Sequence, residues 1–199
     1  MGNEPDMDEQ AKRRLVKARD PQTTPEELTT LLEDPNEIIS HAAAENPSLP
    51  ISHLIDLSNS ENRMVRYAIA DCSRTPTQIL EELSKDPEDI VQMAVATNPH
   101  TPHETLRYLA KHGLTDAPLF LAGNPAAPED VLDYLSRLEF PENPSLTLNF
   151  RSLIEGNPST PPHIMERVKG STKALDELTA KYVTGVLFPK DEADRKPTH

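Results

Sequence analysis

The sequence predicts an all-α protein, an α-solenoid superhelix of two-helix units about 26 residues long, and three observations carry that expectation. The first is proline placement. Twenty prolines in 199 residues would break helices if scattered, yet the first proline of a recurring Asn-Pro grammar stands at Pro21, Pro47, Pro99, Pro125 and Pro158, with Ser73 in the vacant place. The steps are 26 residues, with a last one of 33. The second is a column of alanines in the same register, at Ala18, Ala44, Ala70, Ala96 and Ala122. The third is an apolar stripe at helical spacing after each second proline, as in Ile79, Leu80 and Leu83 or Val131, Leu132 and Leu135.

The elements follow in order. Residues 1–7 read as a disordered N-terminus, and a half-repeat, AKRRLVKA, opens the array near Asp8. About six units then run through 8–170, each beginning after Pro25, Pro50, Pro76, Pro102, Pro128 or Pro161. Thr24, Thr75, Thr101 and Thr160 precede proline and suit N-caps with proline at the first helical position. Glu27, Gln78 and Glu104 then stand where capping-box partners belong. The second part of each unit ends in small residues, as in EIISHAAA, RMVRYAIA and DIVQMAVA, and Asn-Pro stops it. Two departures from the register read as one extra residue in the first unit and a seven-residue insertion near 139–147. Leu175, Leu178, Tyr182 and Val186 share one face of a helix over 171–188, a cap for the last unit, and 189–199 reads as a disordered tail.

With these residues in view, MVRYAIADCSRTPTQILEELSKD and DIVQMAVATNPHTPHETLRYLAKH resemble the leucine-rich repeat variant family over about residues 8–170. The resemblance implies alternating α and short α or 3₁₀ helices wound into a superhelix. Some members carry a cysteine-rich iron–sulfur segment, for which Cys72 alone offers no ligand set.

Charge narrows the function. The net charge is −13, and residues 21–188 hold 25 acids against 12 bases. Such a body repels a nucleic-acid backbone and attracts basic proteins. One cysteine excludes an intramolecular disulfide framework, and no apolar run reaches membrane-spanning length; the expectation is a cytoplasmic protein with no membrane partner. The sequence leaves the oligomeric state open.

The expected activity is therefore non-catalytic: a helical-repeat scaffold binding a basic protein along its repeat surface, with no cofactor and no metal. Arg66, Tyr67, Tyr108 and Tyr134 are the candidate contact residues, because aromatics and arginine dominate binding hot spots; Tyr108 and Tyr134 lie one step of 26 apart. The alternative is a metal-dependent sensor or enzyme using His100, His103 and Glu104 in TNPHTPHE, with His112 a helix later. Against it, the histidines straddle a turn proline, and no HExxH, CxxC or phosphate-binding glycine loop accompanies them. Asp34, Glu81, Glu82, Asp86, Glu88 and Asp89 form a candidate acidic ridge.

Overall fold

The structure, a computed structural model, describes residues 7–112, 117–139 and 143–187. Among them the chain is helical and has no strand. The helices run α1 (Glu9–Arg19), α2 (Pro25–Leu32), α3 (Glu37–Glu45), α4 (Ile51–Leu57), α5 (Arg63–Asp71), α6 (Thr77–Leu83), α7 (Asp89–Thr97), α8 (His103–His112), α9 (Ala117–Gly123), α10 (Glu129–Ser136), α11 (Pro144–Gly156), α12 (Pro162–Val168) and α13 (Ser171–Leu187). Both members of each pair are α-helices, and the 3₁₀ form allowed by the family resemblance is absent among the described residues.

Helix starts correct one reading of the register. The even helices begin at Pro25, Ile51, Thr77, His103 and Glu129, each 26 residues from the last, so the first unit has no extra residue. Pro25 is the first helical residue of α2, whereas Pro50, Pro76, Pro128 and Pro161 are themselves N-caps with no side-chain cap bond. Only Thr24 builds the expected capping box, accepting from Glu27 N while Glu27 reaches back to Thr24 N. The other threonines act differently. The hydroxyls of Thr75, Thr101 and Thr160 donate to the carbonyls of Ile69, Val95 and Ile154, six residues back in the preceding helix, at 2.5, 2.7 and 2.6 Å. Thr23, not Thr24, is their counterpart and bonds Lys17 O at 2.6 Å. These hydroxyls fill carbonyls left open where the helix ends. Leu49 and Ala127 occupy the same position as buried apolar contacts, so their lack of a hydroxyl removes a back-bond, not a cap.

Packing follows two columns. Leu28, Leu54, Leu80, Leu106 and Leu132 are fully buried on the even helices, and all five alanines from Ala18 to Ala122 are fully buried on the odd ones. The odd helices touch in unbroken succession from α1 through α3, α5, α7, α9 and α11 to α13; among the even ones α10 packs on both α8 and α12. Small side chains permit this close approach of odd helices, since any added methylene must displace a neighbour. Met7 is buried against this core, so the folded region begins one residue earlier than the sequence suggests; residues 1–6 lie outside the described residues.

A ladder of asparagines ties the odd helices together. Each Nδ2 donates to two main-chain carbonyls of the preceding unit: Asn46 to Ala18 and Asp20 (2.7 and 2.9 Å), Asn98 to Ala70 and Cys72 (2.8 and 3.1 Å), Asn124 to Ala96 and Asn98 (2.7 and 3.0 Å), Asn157 to Ala122 and Asn124 (2.8 and 2.8 Å). Each Oδ1 also accepts from the N–H two residues on, closing the local turn. The turn bond is local; the longer-range pair is the larger effect, because it satisfies carbonyls that are buried.

At Cys72 the rung changes chemistry. Its Sγ lies 3.4 Å from Ala44 O, and Arg74 covers the remainder, donating to Asn46 O (2.5 Å) and Leu49 O (2.7 Å).

The seven-residue insertion does not disturb the ladder. Its effect is upstream, where α11 extends to 13 residues against 9 for α7; residues 140–142 lie outside the described residues. Beyond α12 the chain turns at Gly170, whose φ of 83° is a left-handed conformation that only glycine adopts without strain. Glu155 then receives the start of α13, its carboxylate accepting from Gly170 N and Thr172 N, both at 2.8 Å. α13 packs on α11. Of the four residues expected on its buried face, Leu175 is half-buried and Leu178 exposed, while the side chains of Tyr182 and Val186 lie outside the described residues. Residues 188–199 lie there too.

Candidate functional surface

Three neighbouring even helices, α8, α10 and α12, carry the densest array of exposed functional groups. Equivalent positions on successive helices lie side by side, and the register converts this into ion pairs. Arg107 Nε and Nη2 clasp Asp130 at 2.7 and 3.1 Å, and Nη1 holds Glu104 at 2.7 Å. Asp133 is shared by Arg137 (3.0 Å) and Arg167 (2.8 Å), and His163 lies 3.8 Å from Glu129. The guanidinium of Arg137, seconded by that of Arg167, holds the Asp133 carboxyl down to about 2. Arg107 likewise lowers Asp130. Two grooves cross this network. One of about 390 Å³ is lined by Arg107, Ala110, Lys111, Asp130, Val131 and Tyr134. The other, of about 690 Å³, runs past His103, Asp133, Arg137 and His163.

The candidate contact residues separate in space. Tyr134 is 50% exposed at the edge of the first groove. Tyr108, at the equivalent position, is partly buried: it stacks on His112 with ring centroids 4.8 Å apart, and Lys85 Nζ lies 5.7 Å from its ring centroid. Tyr67 is on α5, among the odd helices, where burial first and then the charges of Asp71 and Glu37 raise its hydroxyl pKa. Arg66, whose side chain is only 13% exposed, forms a bidentate pair with Asp86 (2.7 and 3.0 Å) and donates to Ser60 O. Arg66 therefore holds units together and offers little to a partner.

That pair also revises the acidic ridge. Asp86 and Asp34, with side chains 5% exposed, face Arg66 and Arg14 inside the fold, and each also accepts an N–H two residues on. Glu88 contacts Arg63 at 3.3 Å.

The residues of the metal alternative do not converge. His100 is exposed in the turn before α8, His103 opens that helix, and the Glu104 carboxylate is taken by Arg107. Among the described residues no group of three or more His, Cys, Asp or Glu side chains stands where it could hold a metal ion. Burial pushes the Cys72 thiol up to about 11, so it is an unreactive thiol near neutral pH. His41 Nδ1 lies 2.7 Å from Asp71 Oδ2, and that contact raises its pKa.

Sequence reasoning missed the Arg107–Asp130 and Asp133–Arg137–Arg167 clusters. The signal was available in the register: Asp130 repeats Glu104 one unit on, and an arginine three residues after Glu104 can reach both. None of the described helices is long and apolar enough to cross a membrane. Compared with models of known protein families, with curated proteins and with solved structures, the chain matches none.

Proposed function

We propose that the chain is an α-solenoid of the leucine-rich repeat variant kind, and a non-catalytic scaffold that binds a basic protein along its repeat surface. The observation that carries the reading is the unbroken succession of odd helices, tied by asparagine rungs in every unit but the one where Cys72 and Arg74 stand in. Stacked units of this kind bury a continuous core and set equivalent side chains side by side on an open face.

The surface chemistry supports binding over catalysis. Asp130 and Asp133 are held ionised by arginines, and the single thiol is held protonated, so these groups keep fixed states near neutral pH. Fixed charges favour recognition and steering; general acid–base work needs a group that titrates near the working pH. The single buried thiol, Cys72, is in keeping with the cytoplasm.

The test is capture of partners from a host extract on the immobilised chain, repeated with Tyr134→Ala and across a salt series. Proteins retained in a salt-sensitive manner, with a basic bias, are the expected result. Tight binding to random duplex DNA at physiological salt would overturn the reading.

A further inference from the structure

The uncovered side of the odd helices changes character along the array. One column of equivalent positions reads Glu45, Asp71, Thr97, Gly123 and Gly156 from α3 to α11. Beside it runs His41, Tyr67, Met93 and Leu119, and at the far end the partly buried Phe120 and Leu153 stand where earlier units have the buried Ala68 and Ala94. The side is acidic at α3 and α5 and apolar at α9 and α11.

At the apolar end lies a groove of about 430 Å³ lined by Thr97, Leu119, Phe120, Gly123, Asn149 and Leu153. Its existence follows from the loss of a side chain: where earlier units carry Glu45, Asp71 and Thr97, α9 has Gly123, and a Cβ built there would meet no atom within 4 Å. The groove also falls where the step lengthens from 26 to 33 residues and α11 reaches 13 residues against 9 for α7. At the acidic end no cation among the described residues stands at salt-bridge distance from Glu37 or Glu45, and Glu45 accepts from Ser73 N and Oγ. The arginines of α5 are already held, Arg63 by Glu88 and Arg66 by Asp86.

We propose that this side binds a linear protein segment with Lys or Arg at one end and a bulky apolar side chain at the other. The apolar side chain enters the groove floored by Gly123, of a size that ligand pockets commonly have. The cations lie over Glu37 and Glu45, beside the Asp71 carboxylate that His41 already contacts. The inference rests on the scaffold reading and adds the face, the orientation and the chemistry of the partner. A second copy of the chain is a poor occupant, because both copies carry a charge of −13.

The experiment uses fluorescently labelled peptides that join a Lys/Arg block to a Leu-Phe pair through Gly-Ser spacers of varied length, titrated with the full chain and read by anisotropy. Peptides carrying both ends should bind about tenfold or more tightly than peptides carrying either alone. Gly123→Leu fills the groove from a backbone that is not left-handed, so helicity and melting temperature should hold while the benefit of the Leu-Phe pair disappears. Glu37→Gln with Glu45→Gln should remove the preference for the basic block and flatten the salt dependence. The inference is overturned if no peptide of the series binds, if both-ended peptides gain nothing over single-ended ones, or if Gly123→Leu binds them as the parent does. Extract capture keeps the two levels apart. Proteins retained equally by parent and Gly123→Leu overturn this face and leave the scaffold; an empty parent column overturns the scaffold itself.

Discussion

Cys72 and Arg74 share the work that a single asparagine does elsewhere in the array, and this makes their energies interdependent. Arg74 donates to Asn46 O, the carbonyl that a rung asparagine at position 72 would otherwise reach. Arg74→Ala should therefore cost about 1–3 kcal/mol in the parent, by leaving the Leu49 carbonyl without Arg74 and Asn46 O with Leu49 N alone. In a Cys72→Asn background the same change should cost clearly less, and a double-mutant cycle by urea denaturation measures the difference. Asn124→Ala has no such neighbour to relieve it and should cost about 1–3 kcal/mol. The residue scale is also where sequence reading was weakest. A threonine before proline suits an N-cap and a back-bond equally well, and only the positions of carbonyls six residues back decide between them. The reach of Nδ2 into the preceding unit had no local signature, because its acceptors lie 26 and 28 residues away. Tyr108 and Tyr134 share a register position, yet one is covered by His112 and Lys85 and the other is not.

Helix packing was far more legible, because period and composition state it directly. The alanine column predicted close contact, and every member is fully buried. Ala96→Leu should destabilise by about 1–3 kcal/mol through overpacking between α7 and its odd neighbours, read as a lower denaturation midpoint. The corner between α11 and α13 is a different kind of junction. Two N–H groups and the Thr172 hydroxyl lower the Glu155 pKa beneath its ordinary 4.5. A depressed carboxylate contributes stability above its unfolded pKa and loses it as pH falls through the folded value. Melting temperature should thus drop on acidification below about 4.5, and Glu155→Gln should reduce that part of the drop. An identical pH profile in the variant would mean the carboxylate carries none of it.

At the scale of the whole molecule the all-helical architecture was read from proline and alanine spacing, and far-ultraviolet circular dichroism should show helix without appreciable sheet. What the spacing could not supply was the groove at Gly123, which arises from an absent side chain beside a lengthened helix, or the split of charge between buried pairs and open carboxylates. The proposed solenoid also makes stability a sum over neighbours. Units joined by nearest-neighbour contacts transmit damage one step at a time, so a rung mutation near α9 should loosen hydrogen-exchange protection there before it does at α3.

The ladder has one further implication, for the lengths of chain that can be removed or inserted. Its rungs count in 26s between Asn98 and Asn124, so excising 99–124 splices Asn98 to Pro125 and rebuilds an Asn-Pro junction, with Asn157 inheriting the carbonyls of Ala96 and Asn98. A deletion one residue shorter leaves the rung facing the wrong atoms. The 33-residue step from Asn124 to Asn157 makes the same point in reverse, since both bonds stay at 2.8 Å while extra chain is stored in α11. Whole units and helix extensions are thus the two edits that the ladder does not detect, and a shift of a single residue is the one it rejects.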